Sequence, residues 1–327
     1  MHRLARRSLL IAGAACAAAL ALPVYAQADY PNKPIKFIVP YAAGGLPDTV
    51  ARIVAQRLGD KLGQSVVVDN RPGANGGVAA GVLASGPADG YQFLVTDGSM
   101  LSINPLIYSK LTYNPKNDFV PVALIARAPL FLALNPGKMP PNTLAEFVDY
   151  VKAKPGALNY GSSGIGSTHH LTMESLKTSL GLDVTHVPYK GTGQSVPALV
   201  SGQVEMLFSA YPSLVGFVKD GRVKLVATNS AQRSALAPNV PAIAEVIPGF
   251  DFAPIVGILA PAGTPSAIIQ KVANAAMEAS RQPDAVAAFA AAGIDVVAGG
   301  PQDYAKAIDA ENERYAKAIK AAGIKQE

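Results

Sequence analysis

Tryptophan is absent from the chain, and cysteine occurs once among its 327 residues. That cysteine, Cys16, lies in a basic and then apolar N-terminal segment that we predict to be removed. The sequence therefore predicts neither disulfide bonds nor thiol catalysis. Histidine is also scarce. Only His169, His170 and His186 follow that segment, and their spacing fits no HExxH or other metal motif. We expect no metal ion and no cofactor.

A strong excess of charge is lacking as well. The formal net charge is +5, and Arg3, Arg6 and Arg7 account for three of these charges, with no acidic residue among residues 1–26. Removing that segment takes +5 to +2, which is nearly neutral. The high isoelectric point therefore gives no reason to expect a nucleic acid partner.

Residues 1–26 are predicted to form a signal peptide. The basic start is followed by an apolar run of about 14 residues, shorter than the roughly 20 that a membrane-spanning helix needs. Small residues permit cleavage after Ala26 or after Ala28. The pair Arg6-Arg7 leaves both general secretion and twin-arginine export open. We expect the mature protein in the periplasm.

Strands and helices alternate from Tyr30 onward, which predicts mostly parallel sheets flanked by helices. Two long apolar stretches, residues 119–134 and 252–260, surround an inserted α/β block. This arrangement predicts two lobes joined by a two-crossing hinge, with a cleft between them. The first lobe would comprise residues 27–124 and 253–327, and the second residues 125–252.

The first candidate site is the loop around Gly44-Gly45. It follows a short apolar strand at residues 37–39, and Pro47 and Asp48 open a helix after it. Backbone N–H groups at a helix start lack partners within the helix and carry its positive end, which favours an anion. A tight turn with solvated amides remains the alternative.

The second candidate site is the loop at residues 160–170. It follows a predicted strand and opens a helix that Ser167 or Thr168 would cap. Hydroxyls and free amides there could bind a carboxylate or a phosphate. No lysine follows the last glycine, which rejects a P-loop, and the glycine spacing does not fit a dinucleotide site. The loop also lacks the G-x-S-x-G pattern of a serine nucleophile. A structural turn again remains open.

Three further polar or aromatic residues stand at predicted strand ends. Ser99 follows the third strand, and in parallel sheets ligands sit beyond the carboxyl ends of the strands. Tyr189 would wall a ligand, with Lys190 adding positive potential. Ser209 could donate a hydrogen bond to a ligand.

With these residues the chain resembles the extracytoplasmic solute-binding proteins of tripartite tricarboxylate transporters, the Bug-type or TctC-like family. The resemblance spans essentially the whole mature chain, and it is the order of its motifs that makes it specific. The motifs are Ile38-Val39-Pro40 with Gly44-Gly45 and Asp48, Val68-Asp69-Asn70-Arg71-Pro72-Gly73-Ala74, Pro87-Ala88-Asp89-Gly90-Tyr91, Asn104-Pro105, Asn159-Tyr160-Gly161-Ser162-Ser163-Gly164, His186-Val187-Pro188-Tyr189-Lys190-Gly191 and Leu259-Ala260-Pro261-Ala262-Gly263-Thr264-Pro265.

The resemblance implies a type II periplasmic-binding fold that closes on a small carboxylate and delivers it to membrane transporter subunits. In the family, the first loop holds the ligand carboxylate largely through backbone groups and ordered waters. Carried over, this implies ligand contacts by Tyr41, Gly44, Gly45 and Asp48 in the first lobe. In the second lobe it implies Ser162, Ser163, Gly166, Ser167, Thr168 and His169, with Tyr189 nearby.

Two departures from the family pattern bear on the ligand. Leu46 makes the mouth of the pocket more apolar, where relatives more often have glycine or a hydroxyl residue. Ser209 stands where relatives often carry aspartate, which argues against an amino group on the ligand. We therefore expect a plain organic or aromatic carboxylate. A secreted α/β hydrolase and a sensor lobe for a signalling partner remain alternatives, and a monomer is the default expectation.

Overall fold

The computed structural model describes residues 30–321, 323 and 324. The predicted signal peptide, residues 1–26, lies outside these residues. From Lys33 onward, the described chain forms one compact unit. Within the described part, no helix is both long enough and apolar enough to span a bilayer.

Eleven strands and eleven α-helices alternate along the described chain. The strands are β1 Ile35–Val39, β2 Val66–Asn70, β3 Gln92–Thr96, β4 Phe119–Arg127, β5 Leu130–Leu134, β6 Asn159–Ser162, β7 Thr185–Pro188, β8 Met206–Ala210, β9 Lys224–Thr228, β10 Ile255–Pro261 and β11 Asp295–Gly299. The helices are α1 Leu46–Leu62, α2 Gly77–Ala84, α3 Ser99–Ser102, α4 Asn104–Ile107, α5 Leu144–Lys152, α6 Thr168–Leu180, α7 Thr192–Val200, α8 Tyr211–Lys219, α9 Ser266–Ser280, α10 Pro283–Ala291 and α11 Pro301–Ala321. Short 3-10 turns lie at Ala74–Gly76 and Ile243–Glu245.

The strands form two separate mixed sheets, with orders β11-β4-β10-β3-β1-β2 and β7-β6-β8-β5-β9. In the first sheet β1 is parallel to β2 and β3, and in the second β6 is parallel to β7 and β8. The strand that arrives from the other sheet, β10 or β5, runs antiparallel to both of its neighbours. β11 is also reversed against β4. Four of the six strands in the first sheet and four of the five in the second thus run in one direction. The sequence predicted such mostly parallel sheets.

The chain crosses between the sheets twice, after β4 and before β10. Ala128 N–H donates to Pro254 O over 2.9 Å, which ties the two crossings together. Asn229 joins both crossings through its side chain. Its Oδ1 accepts from Leu130 N–H at 2.8 Å, and its Nδ2 donates to Phe252 O at 2.8 Å. These bonds define a hinge between the two sheets.

The predicted lobe boundary between residues 124 and 125 falls inside β4. This strand pairs with β10 as far as the Arg127–Ile255 pair, so its end belongs to the first sheet. The return boundary between residues 252 and 253 falls just before β10. The division of the chain into lobes stays a prediction, and the sheet pairings are the observation closest to it.

Each sheet has its own hydrophobic core, which in the second sheet consists of two clusters, and a further cluster connects the two sheets. Helix α11 packs against both β4 and α6, which lie on opposite sides of the hinge. The chain thus brings the carboxyl ends of β1 and β3 and the start of α6 to one region. The connecting cluster is formed by Ile103, Ile107, Leu171, Tyr315 and Ile319.

Candidate functional site

The first loop is braced by a buried carboxylate. Asp48 is 2% exposed, and its Oδ2 accepts from Gly44 N–H at 2.9 Å and from Arg52 Nε at 3.0 Å. Its Oδ1 accepts from Asn70 Nδ2 at 2.9 Å, and the same amide donates to Tyr41 O. Burial by itself would raise the pKa of Asp48, but the hydrogen bonds from Arg52, Gly44 and Asn70 outweigh it and lower the pKa. Asp48 therefore fixes the shape of the loop.

The glycine amides of this loop are engaged within it. Gly44 N–H donates to Asp48, and Gly45 N–H donates to Ala42 O at 3.2 Å. The sequence predicted free amides here, and for these two residues the structure shows otherwise, because the loop folds back on itself before α1 begins. At the start of α1, the amides of Leu46 and Asp48 have no i−4 carbonyl within the helix. Leu46 is half-buried at this start.

An acid that the sequence analysis did not select joins two predicted residues. Asp97 Oδ1 accepts from Tyr41 Oη at 3.1 Å and from Ser99 N–H at 3.1 Å. Burial raises the pKa of Asp97, and the hydrogen bonds from these donors offset only part of that effect. The pKa of Tyr41 is raised mainly by burial and then by the Asp97 charge. The sequence feature that could have identified Asp97 is its position directly after β3.

A second acid lies behind Asp97. Glu311 on α11 is 1% exposed, and its Oε2 has no hydrogen-bond partner among the described residues. A Cβ placed on Gly98 would lie 2.7 Å from that oxygen. Burial, and then the Asp97 charge, raise the pKa of Glu311 well above its ordinary value. Two carboxyl groups therefore lie together beneath this edge of the first sheet.

The second loop ends β6 and begins α6, with Ser167 as the helix cap. Ser167 Oγ accepts from His170 N–H at 3.3 Å and donates to Gly164 O at 2.8 Å. Ser162 Oγ accepts from Gly164 N–H at 3.0 Å. Ser163 Oγ lies 3.2 Å from His169 Nδ1. The local prediction of a capped helix start is confirmed, with Ser167 rather than Thr168 as the cap.

A column of three aromatic rings supports this loop. The His170 and His186 rings stack at 3.9 Å between centroids and 11° between planes, and Tyr160 stacks on His186 at 4.8 Å. His186 Nε2 lies 2.7 Å from Ser162 Oγ, and His170 Nδ1 accepts from Gly166 N–H at 3.1 Å. We call Tyr160, His170 and His186 the histidine stack.

The imidazoles at this loop are neutral. Burial lowers the pKa of His169 to about 4 and that of His186 to about 3. Burial also lowers the pKa of His170, against the nearby Glu174 charge. Because His170 Nδ1 accepts a backbone N–H, its proton lies on Nε2. Sequence reasoning selected His169 alone, because the adjacency of β6 and β7 that creates the stack is not visible in a single sequence.

The remaining predicted residues lie at three different depths. Thr168 is buried in the first turn of α6. Tyr189 is half-buried, donates its N–H to Ser162 O at 3.1 Å and lies beside Gly161. Ser209 is fully buried at the end of β8, and its Oγ has no hydrogen-bond partner among the described residues.

The structure brings the second loop against the first sheet's helices. Gly166 has φ +72°, and a Cβ there would overlap Ile107 Cδ1 and approach Ile103. Of the predicted second-loop residues, Gly166 lies directly against the segment that follows Ser99, whereas Ser162 and Thr168 are buried. No hydrogen bond joins residues 40–48 to residues 162–170 in the described part of the chain. Nor is any group of three or more His, Cys, Asp or Glu side chains placed there to hold a metal ion.

Comparisons with known proteins agree with this architecture. A family model described as "Tripartite tricarboxylate transporter family receptor" (TctC) matches residues 50–324. The protein BugT of Bordetella pertussis is 34% identical over 310 residues, covering 94% of both chains. Among solved structures, a Rhodopseudomonas palustris protein with adipate has a TM-score of 0.84 and 34% identity, covering 91% of this chain and 100% of its own.

A second solved structure, MatC of Rhodopseudomonas palustris with bound malate, has a TM-score of 0.77 and 32% identity. It covers 89% of this chain and 100% of its own. The two-lobed type II fold that the sequence predicted is confirmed by these neighbours. The chain belongs to the TctC family of tripartite tricarboxylate transporter receptors.

Proposed function

We propose that this protein captures a small organic carboxylate in a cleft between its lobes. The supporting observation is the start of α6, where Ser167 caps the helix and the loop before it lies against the first sheet's helices. A helix start contributes about 0.3–1 kcal/mol to holding an anion, and up to about 2 kcal/mol when partly buried. Two relatives of this fold are solved with carboxylates, adipate and malate.

We further propose that each lobe contributes one helix start to the cleft. The start of α1 offers the amides of Leu46 and Asp48, and the start of α6 offers its first-turn amides with the hydroxyls of Ser163 and Thr168. Rotation about the hinge would bring the two starts onto one ligand and exclude water.

The family membership supports the cellular role. The protein would be exported to the periplasm with its signal peptide removed, bind its solute as a monomer, and deliver it to the membrane subunits of a tripartite tricarboxylate transporter. A ligand-binding lobe that signals to a partner uses the same binding physics. Copurification with transporter subunits after mild cross-linking would support delivery, and copurification with a signalling protein instead would contradict it.

One contact favours the rival class, a secreted hydrolase. Ser162 Oγ and His186 Nε2 are 2.7 Å apart, within the range of a nucleophile and its base. However, Ser162 is 1% exposed, and the pKa of His186, about 3, makes the imidazole a poor base at neutral pH. Turnover of an ester panel that is lost in Ser162→Ala would establish the hydrolase.

A thermal-shift and calorimetric screen tests the proposed function. The panel contains mono-, di- and tricarboxylates, aromatic acids, amino acids, sugars and nucleotides. A ligand at 100 times its Kd adds about 2.7 kcal/mol, which corresponds to roughly 5–10 °C in Tm for a chain of this size. A shift with a carboxylate class is the expected result. A shift only with sugars or nucleotides would overturn the carboxylate assignment.

A matched pair of helix caps separates binding from stability. Ser167→Ala removes the cap of α6, and Thr143→Ala removes the cap of α5, where Thr143 Oγ1 accepts from Glu146 N–H at 3.2 Å. Each change should cost about 0.5–2 kcal/mol of stability. Only Ser167→Ala should also weaken carboxylate binding, by about tenfold. Equal affinities in the two variants would contradict the assignment of α6.

A further inference from the structure

The turn after helix α10 lies against the second sheet. Gly293 ends this helix, because its N–H donates to Ala290 O at 3.0 Å and the N–H of Ile294 donates to Phe289 O at 3.0 Å. This kind of helix end requires a positive φ, and Gly293 has φ +73°. A Cβ placed on Gly293 would lie 2.7 Å from the Cβ of Tyr211, which begins α8 directly after β8. Gly293 is therefore a point at which the first-sheet part of the chain touches the second.

The atoms nearest to Gly293 cannot rotate away from it. Tyr211 Cβ is bonded to the backbone, and Pro212 Cδ, 3.2 Å from the same Cβ position, belongs to a ring closed on the backbone. Leu236 Cδ1 lies 3.3 Å from that position. Non-bonded carbon atoms sit about 3.5–4.0 Å apart, so a methyl group on Gly293 would push the two parts of the chain about 1 Å apart. The lack of a side chain therefore permits this close approach.

This contact lies beside the hinge. β11, the strand after the turn, begins at Asp295, which pairs with Arg127 at the end of β4. β8, the strand before α8, ends at Ala210, which pairs with Leu130 at the start of β5. The first crossing joins β4 to β5, so the contact and the crossing lie side by side. A change in distance at this contact therefore changes the angle between the sheets.

A second contact between the two parts of the chain fixes the same orientation. The second loop lies against α4, where a Cβ on Gly166 would overlap the 3% exposed Ile107. Both glycine contacts are present together, so a single orientation of the two sheets satisfies them. This orientation places the proposed carboxylate site against the opposite lobe, which is the arrangement expected around an enclosed ligand.

We propose that Gly293 is a positioning residue for ligand capture, because it permits the lobes to close fully on the carboxylate. This inference deepens the proposed function and rests on it. Gly293 acts without touching the ligand, through the angle at which the starts of α1 and α6 face each other. A side chain at this position would change that angle and disturb the contact of the second loop with α4, so the ligand would lose contacts with one lobe.

A helix end with no role in capture is the competing explanation, and Gly221 provides the matched control. Gly221 ends α8 in the same way, with its N–H donating to Val218 O at 3.1 Å and the N–H of Arg222 donating to Phe217 O at 2.8 Å. Its φ is +68°, and the space around it is open. Gly221→Ala therefore repeats the backbone strain of Gly293→Ala without a contact between the sheets.

The first measurement is the Kd of a carboxylate probe by calorimetry. The probe is the tightest-binding acid of a panel made up of benzoate, succinate, malate, adipate, citrate and glutamate. We expect Gly293→Ala to raise its Kd at least about tenfold, and Gly221→Ala to leave it within about threefold of the unmodified protein.

Small-angle scattering at a saturating concentration of the same probe separates closure from local binding. Gly293→Ala should keep a larger radius of gyration than the unmodified protein with ligand, because its lobes cannot close fully. Ser167→Ala should become as compact as the unmodified protein once it is saturated, because its defect is confined to the start of α6. Gly221→Ala should match the unmodified protein.

Asparagine replaces alanine if Gly293→Ala does not fold. It enters positive φ more readily than alanine and still carries a Cβ, and Gly221→Asn is its control. If the Gly293 and Gly221 variants agree in Kd and in compactness, Gly293 only ends a helix, and this inference alone fails. If Gly293→Ala binds the probe more tightly than the unmodified protein, the contact belongs to the open form and the inference is wrong. If no acid of the panel binds the unmodified protein, the proposed function fails as well.

Discussion

At the scale of single residues, Asp48 shows how one side chain sets the geometry of a binding loop. Its carboxylate accepts hydrogen bonds from the loop backbone, from the next turn of α1 and from the end of β2. The family pattern implied that Asp48 touches the ligand. The contacts support a positioning role for its side chain, because both carboxylate oxygens already have donors, and they leave its backbone N–H for the proposed ligand contact.

Asp48→Asn should lower the free energy of unfolding by about 1–3 kcal/mol. The amide would present an N–H₂ to groups that are themselves donors, which leaves a buried polar group without a partner. Because folding lowers the pKa of Asp48, its contribution is present above the unfolded pKa of about 3.9 and is lost as pH falls through the folded pKa. Urea denaturation at pH 7 measures the effect. Asp284→Asn is the control, because the Asp284 side chain, which pairs with Arg57, is 68% exposed and little change is expected.

Gly166→Ala should be more harmful than the same change at Gly181. Both glycines have positive φ, +72° and +64°, which costs about 1–2 kcal/mol for any other residue. Space around Gly181 is open, whereas a Cβ on Gly166 overlaps the buried Ile107. Urea denaturation and calorimetry with a bound carboxylate should show an added stability loss and weaker binding for Gly166→Ala alone. Equal losses would mean that Ile107 moves aside freely.

At the scale of elements, the second loop and α6 depend on the histidine stack. The stack holds Ser162 and Gly166 through neutral imidazoles whose rings are 3.9 Å apart. Two protonated rings at that distance would repel, and a protonated His170 would turn a donor toward Gly166 N–H. We therefore expect the second loop and the start of α6 to keep this geometry only at pH values at which the histidines are uncharged.

Stability should fall on acidification below about pH 6.5. There the unfolded histidines take up protons, while the folded ones, with pKa about 4 for His169 and about 3 for His186, do not. Each histidine lowers the free energy of unfolding by up to about 1.4 kcal/mol per pH unit in this window. Urea midpoints between pH 6.5 and 5 measure the slope. His169→Gln should lower this slope by up to about 1.4 kcal/mol per pH unit, and an unchanged slope would show that His169 titrates equally in both states.

The sequence predicted the elements where local signals were strong. Pro47 marked the first turn of α1, and hydroxyl residues marked the start of α6, because capping chemistry is local. No helix was predicted over α3 and α4, although the proline of Asn104-Pro105 fits the first turn of α4. The histidine stack and the Asp97–Glu311 pair could not be predicted, because each joins residues that only the tertiary fold brings together.

At the scale of the whole molecule, the hinge connects ligand binding to shape. Arg127 at the end of β4 pairs with Asp251 at 2.7 Å, and Arg314 of α11 approaches the same carboxylate at 3.4 Å. Together with Asn229, these contacts fasten both crossings while leaving few covalent links between the sheets. Such a connection permits rotation of one lobe against the other.

Ligand binding should make the molecule more compact. We expect a smaller radius of gyration in small-angle scattering with a saturating carboxylate from the screen. Ser167→Ala, at the same ligand concentration, should show a smaller change because fewer molecules bind. Identical scattering with and without ligand for the unmodified protein would show that capture occurs without closure.

The insertion of the second sheet between β4 and β10 also dictates an order of assembly. Strands β5 to β9 are contiguous along the chain, so their sheet can form from nearby partners. The first sheet stays incomplete until β10 arrives between β3 and β4, after the entire second sheet has been traversed. Loop-closure entropy penalises this late pairing. Amides of β5 and β8 should thus become protected from hydrogen exchange before those of β4 and β10 during refolding. Strands β1 to β4 would complete their sheet only after β10 has been added.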